Sequence, residues 1–103
     1  MSADRELLEL AARATGYKYK PANECIVIDG IPGRWNPLTD DGDALRLAVK
    51  LGIEPSWHVT LGYAVALYKS GFYRIEEYST DGLSATRRAI VRAAAEIGMG
   101  SPS

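Results

Sequence analysis

The sequence predicts an α+β fold in which a mainly antiparallel, four-stranded sheet is flanked by three helices on its two faces. Apolar residues recur with helical spacing in three segments, and strand-like segments occur in two pairs separated by turn residues. All connections are short enough for a compact domain. We therefore predict the order helix, two strands, helix, two strands, helix, with one domain over residues 1–98 and a flexible tail over 99–103.

The first and third helices each have one apolar stripe and one polar side. The first is expected to follow a cap at Ser2 and to stop at Gly16. The third is expected to run from about Ser84 to Ile97, and the many alanines on its buried stripe allow a close approach to the layer beneath.

Three acids precede the second helix, in the stretch WNPLTDDGDALRLAVKLG. We expect Asp41 or Thr39 to accept a hydrogen bond from the amides of the first turn, and the other carboxylates of the Asp40, Asp41 and Asp43 group to offset the helix dipole. A calcium loop of the EF-hand kind needs a glutamate at its twelfth position, which is Leu51 when Asp40 is counted first. The spacing therefore favours a helix cap over a metal site.

The second helix is apolar around most of its circumference. Between Asp43 and Leu51 its polar residues are Asp43, Arg46 and Lys50, which cluster on one narrow strip. We therefore expect a sheet and a further element to cover this helix.

Four strands are expected between the helices. YKYK and ECIVID flank a PAN turn and predict a short hairpin. WHVTLGYAVALY is expected to form one long strand, paired through a KSG turn with FYRIEEYS so that Tyr68 lies opposite Phe72.

This register divides the long hairpin into two faces. The face with Val65 and Leu67 is expected to be core. The other face, which carries Gly62, Ala64 and Ala66, is solvated, covered by a closely packed element, or open to a second copy of the chain. A symmetric homodimer through an exposed strand edge is a further option.

Composition restricts the class of protein and its partners. The 103 residues carry 12 basic and 13 acidic side chains, a net charge of −1, so neither a general nucleic-acid binder nor a mimic of DNA phosphates is indicated. The apolar runs are shorter than a membrane span needs, and the N-terminus begins polar and acidic. We expect a cytoplasmic protein that makes no membrane contact, with Cys25 as a small buried thiol.

Catalytic chemistry is not expected. His58 is the single histidine, and its predicted place on the small-residue face offers no neighbouring nucleophile. Glu76 and Glu77 are adjacent on a strand, so their side chains point to opposite faces and cannot work as an acid and base pair. One cysteine and one histidine are too few for a zinc site, and the glycine spacing fits no phosphate or dinucleotide loop. We predict no catalytic residue, no metal and no cofactor.

Two blocks carry a family resemblance: WNPLTDDGDALRLAVKLGI at residues 35–53 and ATRRAIVRAAAEIG at residues 85–98. Together they resemble the phage ABA sandwich domain, a family of small proteins encoded by tailed bacteriophages and prophages. The resemblance implies a three-layer α/β/α sandwich and a phage or prophage origin in a bacterial host. It implies no activity, because the family has no established one to transfer. Within the first block, Trp35 is expected to be an aromatic plug, and Asn36 and Pro37 a turn before the helix, with Asn36 bonding nearby backbone.

Two function classes follow. The first is a non-enzymatic phage accessory protein that binds an unidentified host or phage protein and modulates or inhibits a host protein or a defence complex. The second binds nucleic acid through arginines of the C-terminal helix, two of which oppose the helix dipole unless Asp81 or Glu76 lies opposite them. Among the aromatic residues, Tyr68, Phe72 and Tyr78 near the hairpin turn are expected to be exposed. The candidate binding surface consists of Arg87, Arg88, Arg92, Tyr68, Phe72 and Arg74.

Overall fold

The computed structural model describes residues 3–28 and 30–100. Its three helices are α1 (Ala3–Thr15), α2 (Asp41–Leu51) and α3 (Gly82–Gly100). The first sheet contains β1 (Lys18–Lys20), β2 (Cys25–Ile28) and β3 (Ile31–Arg34), and the second contains β4 (Ile53–His58), β5 (Tyr63–Tyr68) and β6 (Tyr73–Tyr78).

The α+β class, the three helices and the antiparallel pairing are confirmed, but the single four-stranded sheet is wrong. Each sheet has three antiparallel strands in sequence order, β1-β2-β3 and β4-β5-β6. α3 packs on the second sheet and against α1 and α2, and α1 contacts β1 of the first sheet. The helices therefore lie between two sheets instead of flanking one.

Two of the six strands were not expected from the sequence. β3 contains Pro32 and Gly33, which usually argue against a strand, but it is an exposed edge strand that tolerates both. β4 begins directly after Gly52, where α2 ends in a left-handed cap. Its last two residues, Trp57 and His58, were included in the predicted long strand, which is interrupted by a turn over residues 59–62. There the Gly62 amide donates to the His58 carbonyl, and Gly62 has a φ of 71°.

The register of the second hairpin is shifted by one residue from the expected one. Tyr68 lies opposite Tyr73, because Phe72 adopts helical backbone angles after the 3₁₀ turn at Lys69–Gly71. The burial of β5 corrects the expected core face in part. Ala64 and Ala66 are fully buried against α3, so the small-residue face is covered by a closely packed element and is not open to a second copy. Val65, on the expected core face, is also buried, with 2% exposure.

Small side chains allow α3 to pack closely against α1, α2 and the second sheet. Ala89, Ala93 and Ala94 are fully buried along it. At Gly98 an added Cβ would overlap the Leu10 carbonyl of α1, and at Gly82 it would lie 2.9 Å from the Trp57 indole. The core therefore depends on close approach more than on large side chains.

The helix ends agree only partly with the sequence analysis. α3 begins two residues earlier than expected, with the Asp81 carboxylate accepting from the amides of Leu83 and Ser84, and it continues to Gly100. Residues 99 and 100 are therefore helical, and residues 101–103 of the expected tail lie outside the described residues. The proposed cap Ser2 also lies outside them. No helix of the described ranges is long and apolar enough to cross a membrane.

Replacing Gly98 with alanine should lower the free energy of unfolding by about 2 kcal/mol, because α1 and α3 would have to separate. Urea denaturation followed by circular dichroism measures the change. Met99→Ala, at the exposed neighbouring position, is the control and should have little effect. Glycine to alanine inside a helix normally stabilises by about 0.5–1 kcal/mol, so a more stable variant would contradict the close helix packing.

Candidate functional site

The three acids before α2 differ in their main contacts. Asp40 is the helix cap: its backbone is extended and its carboxylate accepts from the Asp43 amide at 2.8 Å. The expected cap at Asp41 or Thr39 is therefore wrong by one residue. Asp41 instead pairs with Arg87 at 2.6 Å, and Asp43 accepts from the Asn36 amide at 2.9 Å and from Arg46 at 2.7 Å.

This arrangement gives the acid cluster a structural role. The Asp43 side chain is mostly buried and joins the loop before α2 to the first turn of the helix. Across residues 3–28 and 30–100 the structure has no group of three or more histidine, cysteine, aspartate or glutamate side chains that could hold a metal ion. The cluster holds the start of α2 in place.

The arginines of α3 point to three separate elements. Arg87 donates to the Leu38 carbonyl at 2.8 Å besides its pair with the acid loop. Arg88 pairs with Asp4 of α1 at 2.8 Å. Arg92 pairs with Glu77 and donates to a backbone carbonyl of β6 at 3.2 Å. The arginines therefore tie α3 to its neighbours.

The other proposed surface residues do not form one patch with these arginines. Phe72 is exposed as expected, whereas Tyr68 is half-buried, packs against the core and stacks on Tyr73. Arg74 lies on the outer face of the second sheet and pairs with Glu76 at 2.9 Å. The structure therefore separates the predicted binding surface into several sites.

The histidine and the two glutamates considered for catalysis lie on the second sheet, but not on one face. His58 lies on the outer face, because the turn at 59–62 reverses the chain, and its ring stacks on Tyr63 at 4.5 Å. Tyr78 stacks on the other side of Tyr63 and donates to Glu76 at 3.2 Å, which raises the pKa of the Tyr78 phenol. Glu77 turns to the helix side, so the prediction that the adjacent glutamates point to opposite faces is confirmed.

Two buried residues behave as the sequence indicated. Cys25 is a buried free thiol. Trp35 is a buried plug with edge contacts to Tyr17 and Tyr19, and Asn36 accepts from the Leu38 amide as expected for a turn residue. These residues belong to the core and its loops.

An apolar groove between α2 and α3 was missed at the sequence level. We call it the α2–α3 groove: it has a volume of about 240 Å³ and a nearly wholly apolar lining. Its apolar lining residues are Ala44, Leu45, Pro55, Leu83 and Ile90.

The side of α2 beside this groove is uncovered. Leu45 is 60% exposed and Val49, one helical turn later, is 74% exposed. The expectation that most of α2 is covered is therefore wrong, since packing uses only Ala44, Leu47 and Ala48 fully. The narrow polar strip of α2 was the sequence signal for this surface, because it leaves more apolar positions than one layer can bury.

A second groove lies on the other flank of α2, against the first sheet. This α2–sheet groove has a volume of about 480 Å³ and mixes apolar with charged residues. Ile26, Ile31 and Trp35 contribute apolar surface, and Asp43 and Arg46 contribute the charges.

No family model matches the chain, and neither a curated protein nor a solved structure matches it.

Asp43→Ala should lower the free energy of unfolding by about 1–3 kcal/mol, because the part-buried Asn36 amide would lose its acceptor. Asp43→Asn is the matched variant: it keeps an acceptor oxygen and should retain most of the stability. Chemical denaturation of both proteins measures the difference. Equal losses would show that the charge, and not the acceptor, matters at this position.

Proposed function

We propose that the protein is a non-enzymatic accessory protein of a bacteriophage or prophage that binds a host or phage protein and thereby modulates or inhibits a host protein or a defence complex. The origin is supported by the resemblance of residues 35–53 and 85–98 to a phage family. The binding role is carried by one observation, the exposed apolar surface around the α2–α3 groove.

This surface leaves several large apolar side chains exposed to water. Leu45, Val49 and Leu83 are each at least 60% exposed, although each would gain free energy from burial. Contiguous exposed apolar surface on a soluble domain marks an interaction site more often than scattered single residues do. The Asp41–Arg87 ion pair at the rim of the groove also fixes α2 and α3 relative to each other, so the groove is formed before a partner binds.

The groove indicates the chemistry of its partner. Its apolar lining fits an apolar side chain that the partner inserts as an anchor. Asp41 at the rim has 61% of its side chain exposed beyond its contact with Arg87. We therefore propose a protein segment with an apolar anchor and a neighbouring basic residue as the ligand.

The contacts of the titratable residues support a non-enzymatic role. The His58 ring stacks on an aromatic neighbour, and the strand glutamates form ion pairs on opposite faces of the second sheet. The acids before α2 cap or brace that helix.

Nucleic-acid binding is the alternative, and it would use the arginines of α3. A phosphate would have to compete with the carboxylates of Asp41, Asp4 and Glu77, which those arginines already contact. This geometry favours protein binding as the function to test first.

We expect Leu45→Glu to abolish retention of the partner when tagged protein is used to capture its partners from lysate of the bacterial host, in parallel with and without nuclease. The charge would lie in the groove and have to be desolvated on binding. Ile31→Glu places the same charge at an exposed position in the α2–sheet groove and is the matched control. Circular dichroism and a urea midpoint would confirm that both variants fold.

The outcomes distinguish the alternatives. A protein retained after nuclease treatment, kept by Ile31→Glu and lost in Leu45→Glu, supports the proposal. Loss only in Ile31→Glu would move the site to the α2–sheet groove. Recovery of nucleic acid alone, with steep salt dependence, would favour the alternative function.

A further inference from the structure

β6 is an open sheet edge, and it differs from the other edges of the two sheets. β1 has only three residues, and β3 and β4 carry Pro32 and Pro55. Short strands and prolines protect edges from pairing with another chain. β6 has six residues and no proline, and no described strand pairs with its outer side. It is the edge on which a further strand fits best.

The backbone of β6 shows which residues face this edge. The Ser79 amide donates to the Gly62 carbonyl, which continues the ladder with β5, so the odd-numbered residues of β6 direct their backbone groups inward. The Glu76 carbonyl instead accepts from Arg92 of α3. Arg74, Glu76 and Tyr78 therefore present their amides and carbonyls to the open side.

We propose that two copies of this chain form a homodimer by antiparallel pairing of β6 with β6 of the other copy, about a two-fold axis at Ile75. In this register Arg74 of each copy lies opposite Glu76 of the other, and each such pair exchanges both backbone hydrogen bonds. Opposite charges directly across strands are favourable.

Neighbouring registers are disfavoured by charge. Residues opposite each other must point to the same face of the sheet. The two-fold axis must therefore pass through a residue of β6 and not between two residues. An axis at Arg74 would place that arginine against its copy, and axes at Glu76 or Glu77 would place like carboxylates together. Only the axis at Ile75 has complementary charges and an apolar residue at its centre.

The C-terminal end of β6 is compatible with the same register. Tyr78 is 68% exposed. Pairing about Ile75 brings Tyr78 of each copy beside the turn that precedes β6 of the other, so its exposed aromatic surface loses water contact.

Arg92 is compatible with this pairing. It approaches the Glu76 carbonyl from the helix side, where it also pairs with Glu77. A carbonyl oxygen has a second lone pair, so the Glu76 carbonyl of one copy can accept from the Arg74 amide of the other while Arg92 stays in place.

Sedimentation velocity over a series of protein concentrations tests the dimer. The wild type should show a concentration-dependent dimer, and Arg74→Glu should raise its dissociation constant by about tenfold or more, because two attractive pairs become repulsive. Glu76→Arg should have the same effect. The double variant Arg74→Glu/Glu76→Arg restores both cross-strand pairs and should restore dimerisation.

Glu54→Arg is the matched control, because Glu54 is an exposed glutamate on the same sheet face but at the opposite edge. It should leave the dimer unchanged, and a urea midpoint checks that each variant folds. A wild type that stays monomeric up to several hundred micromolar would overturn the proposal. So would a dimer insensitive to Arg74→Glu, or a double variant that is folded and monomeric. None of these outcomes depends on the α2–α3 groove, which borders β4.

Discussion

The close packing of α3 is the constraint on which the other elements depend. α3 contacts α1, α2 and all strands of the second sheet. A single helix can do this only if its side chains are short, and its buried positions are mainly alanine, with Gly98 at the closest approach to α1. Alanine also has the highest helix propensity, so the same residues stabilise the helix and bring its neighbours close.

The positions of the arginines on α3 follow from this close packing. A helix buried along its apolar stripe can hold long side chains only at its margins, and there Arg87, Arg88 and Arg92 extend to α2, α1 and β6. Exposed ion pairs contribute little stability each, but the Arg87 side chain is only 18% exposed and has an added bond to the Leu38 carbonyl. We infer that these pairs mainly fix the positions of elements around α3. Positive charge at the start of α3, which opposes its dipole, is offset by carboxylates from two other helices.

Local signals predicted the local structure. Helical spacing predicted the three helices, the PAN turn predicted the β1–β2 hairpin, and the aromatic plug at Trp35 is buried as expected. β3 was missed because Pro32 and Gly33 are unfavourable in most strands and are tolerated only at an edge, a property that sheet order alone determines.

Other errors came from single residues and from distance along the chain. Alternation in WHVTLGYAVALY continues through the turn that ends at Gly62, so the pattern did not show the reversal. Phe72 belongs to a turn instead of a strand, which shifted the register and exchanged the two faces of β6 relative to β5. The partners of Arg87 and Arg88 lie 46 and 84 residues away, and no local pattern encodes pairs at such separation. For the candidate site, the apolar excess of α2 was visible in the sequence, but its exposed side depends on where α3 and β4 lie.

The two proposed surfaces occupy opposite edges of the second sheet. The α2–α3 groove borders β4 through Pro55, and the self-pairing edge is β6. A dimer formed through β6 would therefore carry its two grooves at its two outer ends, with the paired sheets as a spacer between them. Such a dimer gains avidity only when one target presents two copies of the bound segment at a matching distance, because the second contact then becomes intramolecular. A monomeric target would bind each groove independently, with the same affinity for dimer and monomer. The combination of a shallow groove and a symmetric edge therefore suits an oligomeric target better than a monomeric one.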